Sequence, residues 1–172
     1  MNSQQLFEEV YSRHASAVKG YAMRRTDPAR ADDVVAEVFL VAWRRLDDIP
    51  AEPRPWLFGV ARRVLANERR RAARHGAALG RLEASGGGAD PADGPVLADR
   101  RLEDALANLS DSDREALLLI AWEGLTHRDA ARVLGVREAT FTVRLHRAKR
   151  RLGRALERSQ PEPTAPTRLE TP

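Results

Sequence analysis

The chain has 172 residues, a formal charge of +4 and no cysteine. This length allows one ordinary domain or two small ones, and it is too short for a large catalytic barrel. The lack of cysteine excludes disulfides, thiolate metal sites, thiol nucleophiles and iron–sulfur clusters. Apolar runs are only a handful of residues long and no charged-then-apolar leader opens the chain, so we expect a cytoplasmic protein without membrane insertion.

The positive charge is concentrated in two arginine-rich stretches. Residues 60–82 (the first basic stripe) hold seven Arg against one acidic residue, and residues 137–158 (the second basic stripe) hold eight Arg or Lys against two. Each stripe therefore carries +6, and the rest of the chain carries −8. Such stripes favour contact with a polyanion, nucleic acid first, although solvated helix faces in an arginine-rich composition would give the same pattern.

Helical periodicity dominates residues 1–75. A first helix ends before Asp27-Pro28, since Asp caps a helix and Pro fits its first turn. A second helix is expected over 30–46, with apolar residues around much of its circumference. Three prolines within 47–55 exclude regular structure there, and a third helix is expected over about 56–75.

The composition changes after this first domain. Residues 76–98 are rich in Gly, Asp and Pro and predict a flexible linker, with ends about 25–30 Å apart as a coil and roughly 75 Å apart when stretched. A second helical domain follows over 99–158, and a Pro-rich tail over 159–172 is expected to be disordered. Without strand alternation or repeats, the sequence predicts an all-α protein of two small helical domains joined by a flexible linker.

The second domain carries the pattern of a helix-turn-helix. Ser110 and Asp113 offer a cap for one helix, and Thr126 with Asp129 forms a capping box for the next. That short helix ends at Gly135, and a strongly basic helix begins after a turn. The basic helix has its core face at Phe141, Leu145 and Ala148.

The outer face of the basic helix is the candidate duplex-reading surface, because the major groove admits one α-helix. The side chains on or beside that face are Thr142, Val143, His146 and Arg147. Basic residues beside them are placed to contact phosphates and hold the register, namely Arg144, Lys149, Arg150 and Arg151. An ordinary solvated amphipathic helix is the alternative.

The first basic stripe lies beside aromatic residues. Basic groups that follow a backbone, combined with aromatics that hold unstacked bases, are used for single-stranded nucleic acid. Trp56 and Phe58 also suit a helix core, Phe58 more than Trp56. The helix dipole accounts for Asp32 and Asp33, and no histidine stands at ligand spacing near them, so neither a catalytic constellation nor a metal site can be assembled.

Together these motifs resemble the extracytoplasmic-function sigma factors of bacterial RNA polymerase, in the sigma-70 family. The acidic-start helix from Ala31 to Trp43, the segment Pro55-Trp56-Leu57-Phe58 and the arginine run that follows resemble their region two. Residues 109–152 resemble region four. The helix-turn-helix alone is weakly specific, because response-regulator output domains share it, but the order of motifs over about 4–158 is specific.

The resemblance implies a promoter-specificity subunit that has no catalysis and no cofactor of its own. Residues 1–75 would form the region-two bundle and 99–158 the region-four helix-turn-helix. Partners would be RNA polymerase core, through its clamp helices and flap, promoter DNA and an anti-sigma factor. The residues implied to contact core polymerase are Asp32, Asp33, Glu37, Phe39 and Trp43.

The resemblance also divides the promoter between the two regions. Residues 46–71 would open and read the minus-ten element and capture a flipped base, using Trp56, Arg62, Arg63, Asn67, Arg70 and Arg71. The region-four helix would read the minus-thirty-five element as duplex, using Arg137, Thr142, Val143, Arg144, His146, Arg147 and Lys149.

Several residues depart from the family pattern. Arg63 and Asn67 stand where Asn and Asp are usual, which bears on the minus-ten preference. Arg137 replaces a Ser cap, which lowers the stability of the helix start by on the order of 1 kcal/mol. Thr142 and Val143 replace a basic-then-Ser pair, and Val143 favours contact with a thymine methyl. We therefore expect a minus-thirty-five element that differs from the common one.

Three other classes of protein remain as alternatives. A stand-alone helix-turn-helix regulator would use only residues 100–158 and bind a duplex tightly without polymerase. A sigma-like adaptor would bind proteins but no DNA. An enzyme is the least favoured class, since no nucleophile, base or metal set can be assembled.

Overall fold

The structure is a computed structural model that describes residues 2–78 and 96–158. Within these residues the chain is helical, with no strand, as the sequence predicts. The helices are α1 (Ser3–Met23), α2 (Pro28–Arg44), α3 (Pro53–Ala78), α4 (Val96–Ala107), α5 (Asp111–Ala121), α6 (His127–Leu134) and α7 (Glu138–Arg158). None of these described helices has both the length and the apolar character needed to cross a membrane.

Side-chain caps fix where several helices begin. Asp27 caps α2 by accepting a hydrogen bond from the backbone N–H of Arg30 at 3.0 Å, with proline in the first turn. Ser110 caps α5 by accepting from the N–H of Asp113 at 3.2 Å. These starts agree with the sequence prediction, because capping depends only on residues close together in the chain.

The prediction of irregular structure over 47–55 is wrong at both ends of that stretch. A 3-10 turn covers Leu46–Asp48, and α3 begins at Pro53 rather than at Trp56. Pro53 and Pro55 both lie in the first turn of α3, where the backbone N–H groups have no partner within the helix. Proline therefore removes no hydrogen bond at these positions and starts the helix instead of preventing it.

The predicted linker, 76–98, is shortened by helix at each end. α3 continues to Ala78 and α4 begins at Val96. The rest of that linker, 79–95, and the predicted disordered tail, 159–172, lie outside the described residues.

Helices α1, α2 and α3 form the N-terminal unit around a core of apolar side chains. Tyr21 and Phe58 are fully buried and stack, with ring centroids 4.9 Å apart and planes 15° apart. A second aromatic group closes the other end of the bundle, where Phe39 lies edge-on to Tyr11 at 4.7 Å. Phe58 is thus a core residue, as expected from its position in the sequence.

Helices α4 to α7 form the C-terminal unit, and α6 with α7 is the predicted helix-turn-helix. Gly135 ends α6 with a left-handed backbone, φ +66°, which glycine adopts without steric cost. The predicted core face of α7 is confirmed, since Phe141, Leu145 and Ala148 are buried. Arg151 of α7 forms an ion pair with the buried Asp113 of α5, which ties the last helix to the unit.

Candidate nucleic-acid interface

The second basic stripe lies on an exposed face of α7. Because the three core residues of that helix point inward at helical spacing, the side chains between them point outward. Val143 is 51% exposed on this face. The exposed members of the predicted duplex-reading set are Arg137, Thr142, Val143, His146, Arg147 and Lys149.

Thr142 is held in place from both sides, a feature that sequence reasoning missed. Its Oγ1 donates to the carbonyl oxygen of Glu138 at 3.0 Å, one turn earlier on α7. The Nδ1 atom of His127, at the start of α6, lies 3.1 Å from the same Oγ1. The His127 ring also lies 5.7 Å from the Phe141 ring, so it joins the first helix of the helix-turn-helix to the second.

Arg144 is the exception on α7, because it is half-buried and does not share the exposed face. It lines a cavity of about 240 Å³ between the N-terminal and C-terminal units. Arg62 and Arg69 of α3 line the same cavity. Two predicted DNA contacts from different units, Arg62 and Arg144, therefore line the same open cleft.

The first basic stripe follows the exposed side of α3. Arg62, Arg63 and Asn67 are exposed there, and Arg70 donates to the Asn67 side chain at 2.9 Å. An open surface depression of about 600 Å³ lies farther along the helix. Its lining residues are Asn67, Arg70, Arg71, Ala73 and Arg74. The structure thus brings three of the predicted minus-ten residues into one basic concavity.

Trp56 and Phe58 have different surroundings, although they are two residues apart. Trp56 is half-buried against the core and retains an accessible part, whereas Phe58 has none. Arg54 lies over the Phe58 ring with its guanidinium carbon 5.4 Å from the centroid. Of the two aromatics, only Trp56 can therefore contact a nucleic-acid base without unfolding the bundle.

The predicted polymerase-binding residues of α2 lie on its exposed face, with one correction. Phe39 is only 3% exposed and packs among the aromatic rings of α1 and α2, so it cannot contact a partner in this structure. The helix is apolar around most of its circumference, and periodicity alone did not separate its two apolar faces. Leu40, which the sequence analysis did not select, is half-exposed in place of Phe39.

The remaining residues of that set form an acidic face with an aromatic end. Asp32, Asp33 and Glu37 are exposed, and Lys19 of α1 pairs with Asp32 at 2.8 Å. Trp43 is 47% exposed, with its ring edge-on to Phe7 at 5.1 Å. Such a combination of carboxylates and an accessible aromatic suits a protein partner better than DNA.

Both helical units match known families. Residues 10–75 match the family described as Sigma-70 region 2, and residues 99–152 match Sigma-70, region 4. The chain is 38% identical over 159 residues to the ECF RNA polymerase sigma factor SigL of Mycobacterium tuberculosis, covering 88% of this chain and 89% of that protein. It is 33% identical over 172 residues to the RNA polymerase sigma factor CnrH of Cupriavidus metallidurans, covering 90% and 88%.

Solved structures of sigma factors have the same fold. The sigma factor RpoE in its complex with the anti-sigma factor NepR from Bartonella quintana superposes with a TM-score of 0.70 at 25% identity, covering 90% of this chain and 98% of that one. CnrH in complex with the cytosolic domain of CnrY superposes with a TM-score of 0.62 at 27% identity, covering 91% of each chain.

Proposed function

The chain belongs to the sigma-70 family as an extracytoplasmic-function RNA polymerase sigma factor, and we propose that its two helical units divide promoter recognition between α3 and α7. A sigma factor directs RNA polymerase core to specific promoters and assists their opening. The observation that carries the proposed division is that each unit has one exposed basic helix. Each such helix also carries side chains suited to a different form of DNA.

We assign the minus-thirty-five element to the exposed face of α7. The phosphate-contacting residues would set the register, while Thr142, Val143 and His146 face base edges. The exposed Val143 suits a thymine methyl, as the only large apolar side chain among the predicted duplex contacts. The family's common element is read by a basic-then-Ser pair at these positions, so this chain is expected to prefer a different sequence.

We assign the minus-ten element to α3 and the segment before it. The basic concavity around Asn67 and Arg70 would hold the backbone of a melted strand, and the accessible part of Trp56 would meet a base. Because Phe58 is buried, it would stabilise the bundle without contacting DNA. This arrangement fits a site that captures one strand after the duplex opens.

The exposed face of α2 is the proposed contact with the clamp helices of core polymerase, and the C-terminal unit would meet the flap. The contact residues are Asp32, Asp33, Glu37, Leu40 and Trp43, while Phe39 stays in the core. An anti-sigma factor would compete with core polymerase for this chain, as the partners named in the two related complexes suggest. The chain would work in the cytoplasm and leave all catalysis to polymerase.

Reconstituted transcription tests these assignments. Purified chain is mixed with core polymerase and a mapped promoter, and run-off transcripts are counted. Trp43→Ala is expected to reduce core binding, Arg70→Ala to reduce promoter opening, and Arg147→Ala to reduce closed-complex formation. Two exposed arginines outside the proposed surfaces, Arg13 on α1 and Arg101 on α4, provide matched alanine controls for the arginine variants, and Trp122→Ala, at a similarly exposed tryptophan, is the control for Trp43→Ala.

The three expected defects separate the three surfaces, because core binding, closed-complex formation and strand opening can each be measured alone. A control variant that loses as much activity as its matched test variant would reject the surface concerned. If the chain neither binds core polymerase nor starts specific transcripts, the stand-alone regulator becomes the better description.

Salt dependence gives an independent measure of the α7 contacts. If about four basic side chains of α7 touch phosphates, log affinity for a minus-thirty-five duplex falls against log salt with a slope near −3.6. Removing one contact by Lys149→Ala reduces that slope by about 0.9. A slope near zero would contradict groove reading by this helix.

A further inference from the structure

His127, the first residue of α6, is held at three points although it is exposed to solvent. Its backbone is fixed by the helix cap, in which the Thr126 side chain accepts from the N–H of Asp129 at 3.1 Å. Its ring lies edge-on to the buried Phe141 ring of α7, with centroids 5.7 Å apart. Its Nδ1 atom lies 3.1 Å from Thr142 Oγ1. The imidazole therefore has one defined place between the two helices of the helix-turn-helix.

The place of the imidazole matters because a threonine within a helix can adopt two side-chain rotamers. A change of rotamer moves the hydroxyl and the methyl group of Thr142 to different positions on the surface of α7. In the structure, Oγ1 reaches the carbonyl oxygen of Glu138 at 3.0 Å and His127 Nδ1 at the same time. A fixed imidazole stabilises this rotamer, because rotation by about 120° carries Oγ1 away from Nδ1.

A second polar contact joins the same two helices and leaves Thr142 unrestrained. Arg128, the next residue of α6, pairs with Glu138 of α7, with Nε 3.7 Å from Oε2 and both side chains more than half exposed. This pair uses the carboxylate of Glu138, whereas Thr142 bonds to its carbonyl oxygen. Within the described residues, His127 is the only side chain that bonds to the Thr142 hydroxyl. The two contacts can therefore be removed separately.

We propose that His127 is a positioning residue for promoter recognition, which selects the rotamer of Thr142 and so fixes the group that this side chain presents to one base pair of the minus-thirty-five element. This role rests on the proposed reading of that element by the exposed face of α7. The first helix of a helix-turn-helix crosses the DNA backbone, and backbone contacts carry no sequence information directly. His127 gives the first helix an influence on sequence preference without touching a base.

Loss of this restraint is expected to change sequence preference more than overall affinity. The contacts with phosphates, which dominate affinity, come from basic side chains of α7 that stay in place. A Thr142 side chain that changes rotamer presents either group to the base pair, so the bases at this one position become harder to distinguish. One hydrogen bond corresponds to a factor of about two to ten in an equilibrium constant, and discrimination at this position should fall by that factor.

Selection from a promoter library measures the preference with the full chain. Holoenzyme reconstituted with core polymerase binds promoters whose minus-thirty-five element is randomised, and the bound and unbound fractions are sequenced. Thr142→Val removes the hydroxyl but keeps a branched side chain, and it identifies the position that Thr142 reads as the one whose base preference changes. His127→Phe keeps a ring against Phe141 but has no nitrogen. It is expected to relax the preference at that same position and at no other.

Three further variants separate positioning from a general structural role. Arg128→Gln removes the neighbouring ion pair between the same helices and is the matched control, expected to change the preference at no position. His127→Asn places an amide near the position of Nδ1 and should restore part of the lost discrimination. In the Thr142→Val background, His127→Phe should have no further effect, because the hydroxyl that it positions is gone. Circular dichroism checks folding, and His127→Ala replaces His127→Phe if that variant does not fold.

The outcomes distinguish the role of His127 from the assignment of α7. Equal preference at this position for the wild type and His127→Phe overturns the positioning role, as does an effect that persists in the Thr142→Val background. The same relaxation in Arg128→Gln also overturns it, because any loosening of the two helices would then suffice. If the wild-type holoenzyme selects no minus-thirty-five sequence, the assignment of α7 fails, and the positioning role with it. If it selects one and Thr142→Val changes no position, only the positioning role fails.

Discussion

The packing between the two units adds buried ions to the apolar packing that is found inside the N-terminal unit. Inside the unit, side chains such as Val18, Val34 and Phe58 are removed completely from water, and stability rises with the apolar area buried. Between the units, the same apolar cluster continues where α3 packs on α6, and Arg25 and Glu123 are buried beside it as ions. Apolar burial contributes stability directly, whereas a buried ion pair contributes little net stability but is costly to break, because desolvation offsets much of the attraction between its charges.

The largest effect on stability is expected from Phe58→Ala, which removes a large side chain from the apolar core of the N-terminal unit. Phe58 is fully buried against Tyr21, so its removal leaves a cavity and costs about 3–5 kcal/mol of unfolding free energy. Denaturant unfolding followed by circular dichroism measures the loss. Trp122→Ala removes an exposed aromatic of similar size and should cost far less. Equal losses for the two variants would contradict the assigned core.

Removing one buried charge tests the ionic part of the contact between the units. In Glu123→Gln, Arg24 and Arg25 lose their charged partner, and we expect a loss of about 3–5 kcal/mol of unfolding free energy, because one partner of a buried pair is then left uncompensated. Denaturant unfolding followed by circular dichroism measures the loss. Glu9→Gln removes an exposed ion pair with Arg13 on α1 and is the matched control, expected to cost far less. Equal losses for the two variants would contradict the burial of Glu123.

The ion pair between Asp113 and Arg151 lies inside the C-terminal unit and can be compared with the ion pairs between the units. Asp113→Asn weakens the contact between α5 and Arg151 of α7, and we expect a loss of about 1–2 kcal/mol of unfolding free energy in the C-terminal unit. Denaturant unfolding followed by circular dichroism measures this loss. An Asp113→Asn variant as stable as the wild type would contradict a stabilising role for the pair with Arg151.

The smallest effect is expected at Glu68, on α3. Burial raises the pKa of this carboxyl, and the nearby Glu37 raises it further. Since the folded chain then binds the proton more tightly than the unfolded chain, Glu68 makes stability fall as pH rises through its folded-state pKa. Glu68→Gln should therefore raise the melting temperature slightly at neutral pH, with a gain that shrinks as the pH is lowered. A gain in melting temperature that grows as the pH is lowered would contradict a raised pKa for Glu68.

Local features of the fold could be read from the sequence. The caps at Asp27 and Ser110 and the core face of α7 depend on residues within a few positions of one another. The start of α3 was missed for a local reason as well, because proline is excluded from a helix interior and accepted in its first turn. Phe39 was assigned to the surface because a helix with two apolar faces does not reveal which one is buried.

The ion pairs between the two units could not be read from the sequence. Arg25 and Glu123 are 98 positions apart, and neither lies in a motif that distinguishes it from a solvated surface charge. Their pairing follows only from how the two units dock, and that packing has no periodicity or spacing along the chain. The same holds for His127 and Thr142, which are joined across a turn by a hydrogen bond between exposed side chains.

The anchoring of Thr142 limits what its hydroxyl can recognise. A hydroxyl has one proton, and Thr142 gives that proton to the carbonyl of Glu138, so His127 must be the donor in their contact. Thr142 then has only a lone pair to offer a base edge. In the major groove it can accept from the amino group of adenine or cytosine, while the guanine edge, which presents acceptors, finds no donor there.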